Sequence, residues 1–557
     1  MGFPYHFIDL DDEQLQRRRN LLDNYGQFAQ LSILSLPLLY QLSRGIKLLG
    51  SRLSRRRDYQ PLKEQRSPVP FNRQHERATV SIWSWRRLKW WLDTELAPGW
   101  ETRKEWLFAI LWMAWLLFLV TKDTGDDYLH ITKRFGIVAA SQLPLHYLLA
   151  TKSWSPIQYL TRMSHEELNP YHRLLGRIII LLFACHASFY LNFYIQKGLL
   201  LKRIQDWDVI LGLTAITSSA LLFTTALARI RDWSYRLFFY LHVALASLLL
   251  PVLYFHVTHL RLYVIESALV FIGLVIQRNI FQSTVQATIS RIEHTNLLSV
   301  SIPLPPSWRH KLFVPGQHIY IGFASLPEKL RKNPFTIASP PPTKQSRSQP
   351  HSNSIELVIR TLKGSTAILD ALASPQKQPS NTTELTIEGP YGSTTYFPPL
   401  DSFDRILFVA GGVGATFTLP MYLHSLGGEE RESRGGPDMK FVWAVRRAED
   451  AKWAMPSLKE GRGDARIFMT GSESEGAEGI ELQEQELDVD DEGKGLLEKG
   501  RPDLRNIVDG TFEHDPHEKV AVFVCGPRGM GANLRREVGR WVKGGRDVFW
   551  HSEEFGW

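Results

Sequence analysis

The sequence predicts three successive folds: an α-helical transmembrane bundle of six to seven spans, an antiparallel β-barrel, and an α/β domain built on a parallel sheet. Three observations predict them. Apolar stretches long enough to cross a bilayer crowd the first half, and short alternating runs broken by Pro, Gly and Ser follow over 284–398. Buried-strand runs that each end in a Gly- or Arg-bearing loop then occupy 403–557. Whole-chain averages conceal the division, since 557 residues that are 44% hydrophobic, with a mean hydropathy of -0.17, describe an ordinary soluble protein.

The apolar stretches fall near 28–49, 105–121, 131–150, 173–195, 208–228, 236–258 and 262–278. The first is interrupted by Pro37 and Arg44 and reads as interfacial or as a weak span. Residues 52–104 contain thirteen Lys or Arg, which makes that segment cytosolic by the positive-inside rule. Its Trp83, Trp85, Trp90 and Trp91 read as anchors in the membrane interface. The acidic loop 122–130 then falls outside, the loop 229–236 with Arg229, Arg231 and Arg236 falls inside, and everything after 279 is cytosolic. The net charge of +8 comes largely from the one basic stretch and not from a nucleic-acid-binding face. Residues 1–27 are polar and carry Asp9, Asp11, Asp12 and Glu13, so no cleavable signal peptide is expected there. Cys185 and Cys525 are the only cysteines, too few for a disulfide scaffold or a cysteine-ligated zinc or iron–sulfur site.

Four histidines carry the chemistry of the apolar half. His172 and His186 share one stretch, His242 and His256 another, and each pair is fourteen residues apart. Fourteen residues of α-helix climb about 21 Å and make almost four turns, so both members of a pair face one side, one near each leaflet. Ligands that far apart cannot share one metal ion. Two stacked haems can each take one histidine from each helix, His172 with His242 on the inner side and His186 with His256 on the outer. Gly176 leaves room for a flat macrocycle. Arg173 and Arg177, one turn apart, read equally as propionate anchors or as side chains snorkelling at the membrane edge. His146 lies mid-span without a partner at the same spacing and reads as a hydrogen-bonded structural residue. His259 reads as a solvated loop residue, with a spare ligand or a metal-substrate contact as the alternative.

In the polar half, 297–302, 318–323 and 355–360 alternate like barrel strands. Pro315-Gly316-Gln317 opens one strand, and Asn333-Pro334-Phe335-Thr336, Lys363-Gly364-Ser365-Thr366 and Glu388-Gly389-Pro390-Tyr391-Gly392 follow. The buried run 405–410 enters Gly411-Gly412-Val413-Gly414, where bare amides at a helix start suit a pyrophosphate. A second run, 441–445, ends at Arg446-Arg447, and a third, 520–525, ends at Cys525-Gly526-Pro527. Strands that end together in such loops describe a nucleotide site at the carboxyl edge of a parallel sheet. The acidic, Gly-rich stretch 471–499 and the polar loop 340–354 have too little apolar content to pack and are expected to be disordered.

Over 105–557 these residues resemble the fungal ferric-chelate reductases, or metalloreductases, of the family that also includes the NADPH oxidases. The resemblance implies a bis-haem membrane domain over 105–280, an FAD-binding barrel over 284–398 and a ferredoxin-reductase-like NADPH domain over 403–557, after an N-terminal segment over 1–104. It implies that His172, His186, His242 and His256 ligate two b-type haems, and that Pro334, Phe335 and Thr336 contact FAD. Asn333 departs from the family's histidine at that place and implies weaker flavin retention. Gly411, Gly412 and Gly414 correspond to the pyrophosphate turn, and Gly500-Arg501-Pro502-Asp503 to the adenosine-side loop. Cys525, Gly526 and Pro527 correspond to the nicotinamide loop, and Trp557 to a terminal aromatic lid over the flavin. Arg446 and Arg447 suit a 2′-phosphate, favouring NADPH. The activity implied is NADPH-dependent reduction of a ferric or cupric chelate across a plasma membrane, with an iron permease as a candidate partner. Reduction of dioxygen to superoxide is the alternative activity, and an electron-transfer-inactive membrane scaffold is a second alternative. The few residues between His256 and the last span favour the chelate, because they are too short to enclose an oxygen pocket. No catalytic triad, carboxylate dyad or deaminase-type zinc motif stands out, so no hydrolytic activity is expected.

Overall fold

The computed structural model describes residues 4–57, 84–152, 155–308, 313–323, 332–339, 354–362, 364–373, 382–427, 436–461, 463–471 and 496–553. It divides into two compact units, one of residues 1–70 and 92–280, the other of 71–91 and 281–557.

The first unit is helical. Among the described residues five helices are long and apolar enough to cross a membrane: Arg103–Thr121, His165–Gln196, Trp207–Thr225, Tyr235–His256, and Thr258–Ile280 with its opening 3-10 turn. Many of their apolar side chains point outward, as lipid-facing residues do, among them Ile110, Leu181, Leu248, Phe255 and Leu269. In chain order the unit has α1 (Asp12–Leu31), α2 (Ser35–Arg57), α4 (Arg103–Thr121), α5 (Tyr128–Ser141), α6 (Leu143–Leu149), α7 (Pro156–Thr161), α8 (His165–Gln196), α9 (Leu200–Arg203), α10 (Trp207–Thr225), α11 (Ala228–Trp233), α12 (Tyr235–His256) and α13 (Arg261–Ile280). The single span expected over 131–150 is two helices. Gln142 separates α5 from α6, and Pro144 starts the second, where a missing N–H costs nothing.

The first apolar stretch, read as interfacial or as a weak span, is not among these five helices. At one end of the unit His6 exchanges backbone hydrogen bonds with the loop before α5, His6 N to Asp126 O at 2.7 Å and Tyr128 N to His6 O at 3.0 Å. At the other end the Gln41 amide donates to the Leu160 carbonyl of α7. Together α1 and α2 therefore run the length of the bundle. Gly26 makes this possible, since a Cβ there would stand 2.6 Å from the Tyr263 hydroxyl and 2.8 Å from Ile137.

The second unit holds two six-stranded sheets. The first, in the order β4-β3-β6-β1-β2-β5, pairs antiparallel throughout: β1 (Gln282–Arg291), β2 (Leu297–Pro303), β3 (His318–Phe323), β4 (Asn333–Thr336), β5 (Ser354–Arg360) and β6 (Thr382–Tyr391). Alternate residues such as Val285, Ala287 and Ile289 enclose its core. The second, in the order β10-β9-β8-β7-β11-β12, is parallel: β7 (Arg405–Gly411), β8 (Asp438–Val445), β9 (Asp464–Met469), β10 (Leu497–Lys499), β11 (Lys519–Cys525) and β12 (Asp547–Glu553). Strands β7 and β11 are buried on both faces and read as near-continuous apolar runs for that reason. The stretch expected to be disordered to residue 499 ends in ordered β10, which pairs with β9 at the sheet edge.

A helix over 84–92, α3, belongs to this second unit up to Trp91. Trp90 meets Trp550 edge to face at 5.7 Å, and the Arg535 guanidinium lies 4.2 Å from its ring. Arg86 donates to Gly545 O at 2.7 Å and to Asp547 at 2.9 Å. Expected to anchor in the membrane interface, Trp90 instead packs on the nucleotide-type sheet, where a neighbouring tryptophan and arginine offer a better-matched surface.

Candidate functional site

Helix α8 starts at a capping box in which Ser164 and Glu167 satisfy each other's backbone amides, and it carries both His172 and His186. Helix α12 carries His242 and ends on His256, beyond which Val257 takes an extended conformation. The His172 and His242 rings face each other with centroids 6.3 Å apart and planes at 62°. A metal–nitrogen bond of about 2 Å, with about 1 Å more to each ring centre, puts two axial imidazoles of one iron roughly 6 Å apart. The separation fits that ligand pair.

Hydrogen bonds fix the tautomers of three of the four. His172 Nδ1 donates to His146 O at 3.0 Å, His186 Nδ1 to Thr132 O at 2.8 Å and His256 Nδ1 to Asp208 O at 2.7 Å. A nitrogen facing a carbonyl must carry the proton, so Nε2 keeps its lone pair for a metal. The Nδ1 atom of His242 is buried and has no hydrogen-bond partner among the described residues. Among the described residues no three or more His, Cys, Asp or Glu side chains gather closely enough to hold a bare metal ion.

Three sequence expectations change here. His146, expected to be a hydrogen-bonded structural residue, instead stacks its ring on His172 at 4.0 Å with planes 6° apart, and its buried Nδ1 has no hydrogen-bond partner among the described residues. Gly176 does not open space for a macrocycle, because the His146 ring fills it, 2.9 Å from where a Cβ would stand. Arg173 and Arg177 bind Glu101 at 3.0 and 3.2 Å, and that carboxylate is 3% exposed. Burial pushes the Glu101 carboxyl up, but its own backbone hydrogen bond and the two arginines outweigh this and hold it below the usual carboxylate range. His259, on the turn after His256, bonds Asp23 of α1 at 2.8 Å.

In the second unit Asn333, Pro334, Phe335 and Thr336 form edge strand β4, opposite Ile321, Tyr320, Ile319 and His318 of β3. Beside them a buried ion pair that the sequence did not signal joins Lys332 to Glu388 at 2.8 Å, with Tyr391 donating to the same carboxylate. Two of the strand-end loops meet. Gly411 closes β7 against Pro527, 2.7 Å from a Cβ placed there, and Gly414 lies 2.1 Å by the same measure from the Cys525 carbonyl. No larger residue fits either position. Gly412 has φ +54°, and its nearest neighbour on that measure is Arg360 Nη1, 3.9 Å away, so this face of the turn is open to a ligand. Helix α15 (Ala415–Leu426) starts directly after the turn, giving it a positive helix end. Arg446 and Arg447 follow β8 and are exposed. Trp557 lies outside the described residues.

Three family models match in succession: ferric reductase like transmembrane component at residues 135–253, FAD-binding domain at 281–395, and ferric reductase NAD binding domain at 403–539. A probable metalloreductase AIM14 of Scheffersomyces stipitis is 23% identical over 503 residues, covering 84% of this chain and 88% of that protein. The probable metalloreductase AIM14 of Meyerozyma guilliermondii is 25% identical, covering 76% and 85%. Ferric reductase transmembrane component 6 of Saccharomyces cerevisiae is 23% identical, covering 74% of this chain and 58% of that protein. The chain therefore joins a ferric-reductase-like transmembrane component to an FAD-binding and a ferric-reductase-type NAD-binding domain, the domain set of a transmembrane oxidoreductase.

Proposed function

We propose that the chain is an NADPH-dependent transmembrane reductase whose cofactors are FAD and two b-type haems and whose acceptor is a ferric or cupric chelate on the extracytoplasmic side. The pairing of His172 with His242 between two apolar helices, in a chain that also has FAD- and NAD-binding domains, carries this reading. When bound, the nicotinamide and flavin supply hydride chemistry and the haems supply one-electron chemistry. The protein's part is positioning. His172 and His242 would hold the inner haem, and His186 and His256 the outer one. Pro334, Phe335 and Thr336 would line the flavin. Gly411, Gly412 and Gly414 would receive the pyrophosphate, Arg446 and Arg447 the 2′-phosphate, and Cys525, Gly526 and Pro527 the nicotinamide. A single 3-10 turn, Thr258–Leu260, separates α12 from α13 beside His256, and so short a connection supports a bulky chelate over an enclosed oxygen pocket as the acceptor.

Sealed vesicles given NADPH on the side of the nucleotide domains test the reading. An impermeant ferric chelate on the other side should be reduced, insensitively to superoxide dismutase. His172→Ala and His242→Ala should each abolish that reduction while sparing NADPH-driven reduction of a soluble dye. Dismutase-sensitive dye reduction without chelate reduction would establish the oxidase alternative, and unchanged chelate reduction in either folded variant would remove the haem assignment.

A further inference from the structure

Two of the histidine contacts have the same local construction, on two different helices. His186 Nδ1 bonds the Thr132 carbonyl, and a Cβ on Gly136 would stand 2.8 Å from that same nitrogen. His256 Nδ1 bonds the Asp208 carbonyl, and a Cβ on Gly212 would stand 2.9 Å from its Cε1. In each case the glycine lies four residues after the carbonyl, at Thr132/Gly136 in α5 and Asp208/Gly212 in α10. An α-helical carbonyl already accepts from the N–H four residues on, and at both sites the imidazole that reaches its second lone pair lies against that residue's α-carbon. Here a Cβ on either glycine would fall within 3 Å of the ring, so the ring keeps this seat only while the residue has no side chain.

We propose that Gly136 and Gly212 are positioning residues that seat His186 and His256 with Nδ1 on a helix carbonyl and Nε2 presented to the outer haem. The proposal rests on the haem assignment above and deepens it. It makes the two haem sites unequal. Both outer rings are held by helix backbone, whereas among the described residues only His172 of the inner pair is, on His146 O, and the buried Nδ1 of His242 has no partner. Neither glycine has His172 or His242 among its nearest neighbours. A free histidine could swing from an added methyl, but doing so gives up both the carbonyl and the axial position.

The test counts haems per chain in the purified full-length protein and records the low-spin ferric resonances of each. Wild type should hold two haems. Gly136→Ala and Gly212→Ala should each fall to about one, with the outer affinity lowered roughly 10–100-fold and the inner resonance and bound FAD unchanged. Gly273→Ala, in α13 with nothing within 4 Å of the added Cβ, should keep both. Should Gly136→Ala not fold, Gly212→Ala on its half-buried helix decides. Two haems with unaltered resonances in Gly212→Ala, or equal loss of both haems from it, overturns the proposal while leaving the functional reading intact. A wild-type protein that binds no haem overturns both.

Discussion

Glu101 shows how one side chain changes the meaning of two others. Arg173 and Arg177 stand one turn apart on α8 where a propionate would suit them, yet a buried carboxylate already bridges them. Because the folded Glu101 carboxyl titrates below its unfolded value, its contribution to stability is complete above the unfolded pKa and is lost as pH falls through the folded one. Melting of the detergent-solubilised protein should therefore weaken below about pH 4, and Glu101→Gln should flatten that part of the profile. An acid limb of equal steepness in the variant would assign the loss to other groups. Arg446 and Arg447 carry the coenzyme prediction. Replacing both by Ala should raise the KM for NADPH roughly ten- to a hundredfold, by loss of charged hydrogen bonds to the 2′-phosphate, and leave that for NADH nearly unchanged. Equal changes for the two coenzymes would make these arginines residues of the fold alone.

At the scale of elements, the helix over 84–92 departs furthest from what its composition implies. Tryptophans amid arginines suit a membrane interface, but the same residues suit any surface with aromatic and apolar ground beside acceptors, and the second unit provides one in α18 (Arg528–Lys543) and β12. Gly539 on α18 leaves the gap, since a Cβ there would stand 3.0 Å from the Trp90 indole nitrogen. Trp90→Ala should destabilise the nucleotide domain by about 1–3 kcal/mol, from the half-buried indole. It should also speed amide exchange in β12 and α18 without altering affinity for lipid vesicles. Normal exchange combined with weaker vesicle binding would restore the interfacial reading. The Arg86–Asp547 ion pair adds little, being partly exposed.

For the whole molecule, the run of α1 and α2 along the bundle settles which ends of the first unit go together. The start of α1 lies with the acidic loop before α5, where Arg18 meets Asp127 at 3.0 Å with both side chains 10% exposed, and α2 reaches the α7 end. On the proposed orientation, in which the basic segment 52–104 is cytosolic, the start of the chain falls outside and the flavin and nucleotide domains inside. A cysteine placed by Asp9→Cys should accordingly react with an impermeant maleimide on intact cells, whereas Arg536→Cys should react only after permeabilisation. The reverse labelling pattern would invert the proposed direction of electron flow.

What the sequence determined alone was whatever repeats locally. The fourteen-residue histidine spacing, the alternation of β2, β3 and β5, and the buried runs of β7, β8 and β11 each depend on neighbours within one element, and each element forms where its pattern stands. The glycine turn after β7 was legible for the same reason, since its backbone geometry is a property of four consecutive residues. Tertiary structure alone decided what meets what. Thr132 and Asp208 hold their histidines across 54 and 48 residues, and Glu101 reaches Arg173 across 72. A backbone carbonyl leaves no mark in composition, because every residue has one. Only a glycine one turn further on hints that the carbonyl is used, and that hint becomes readable once the packing of α5, α8, α10 and α12 brings an imidazole against it.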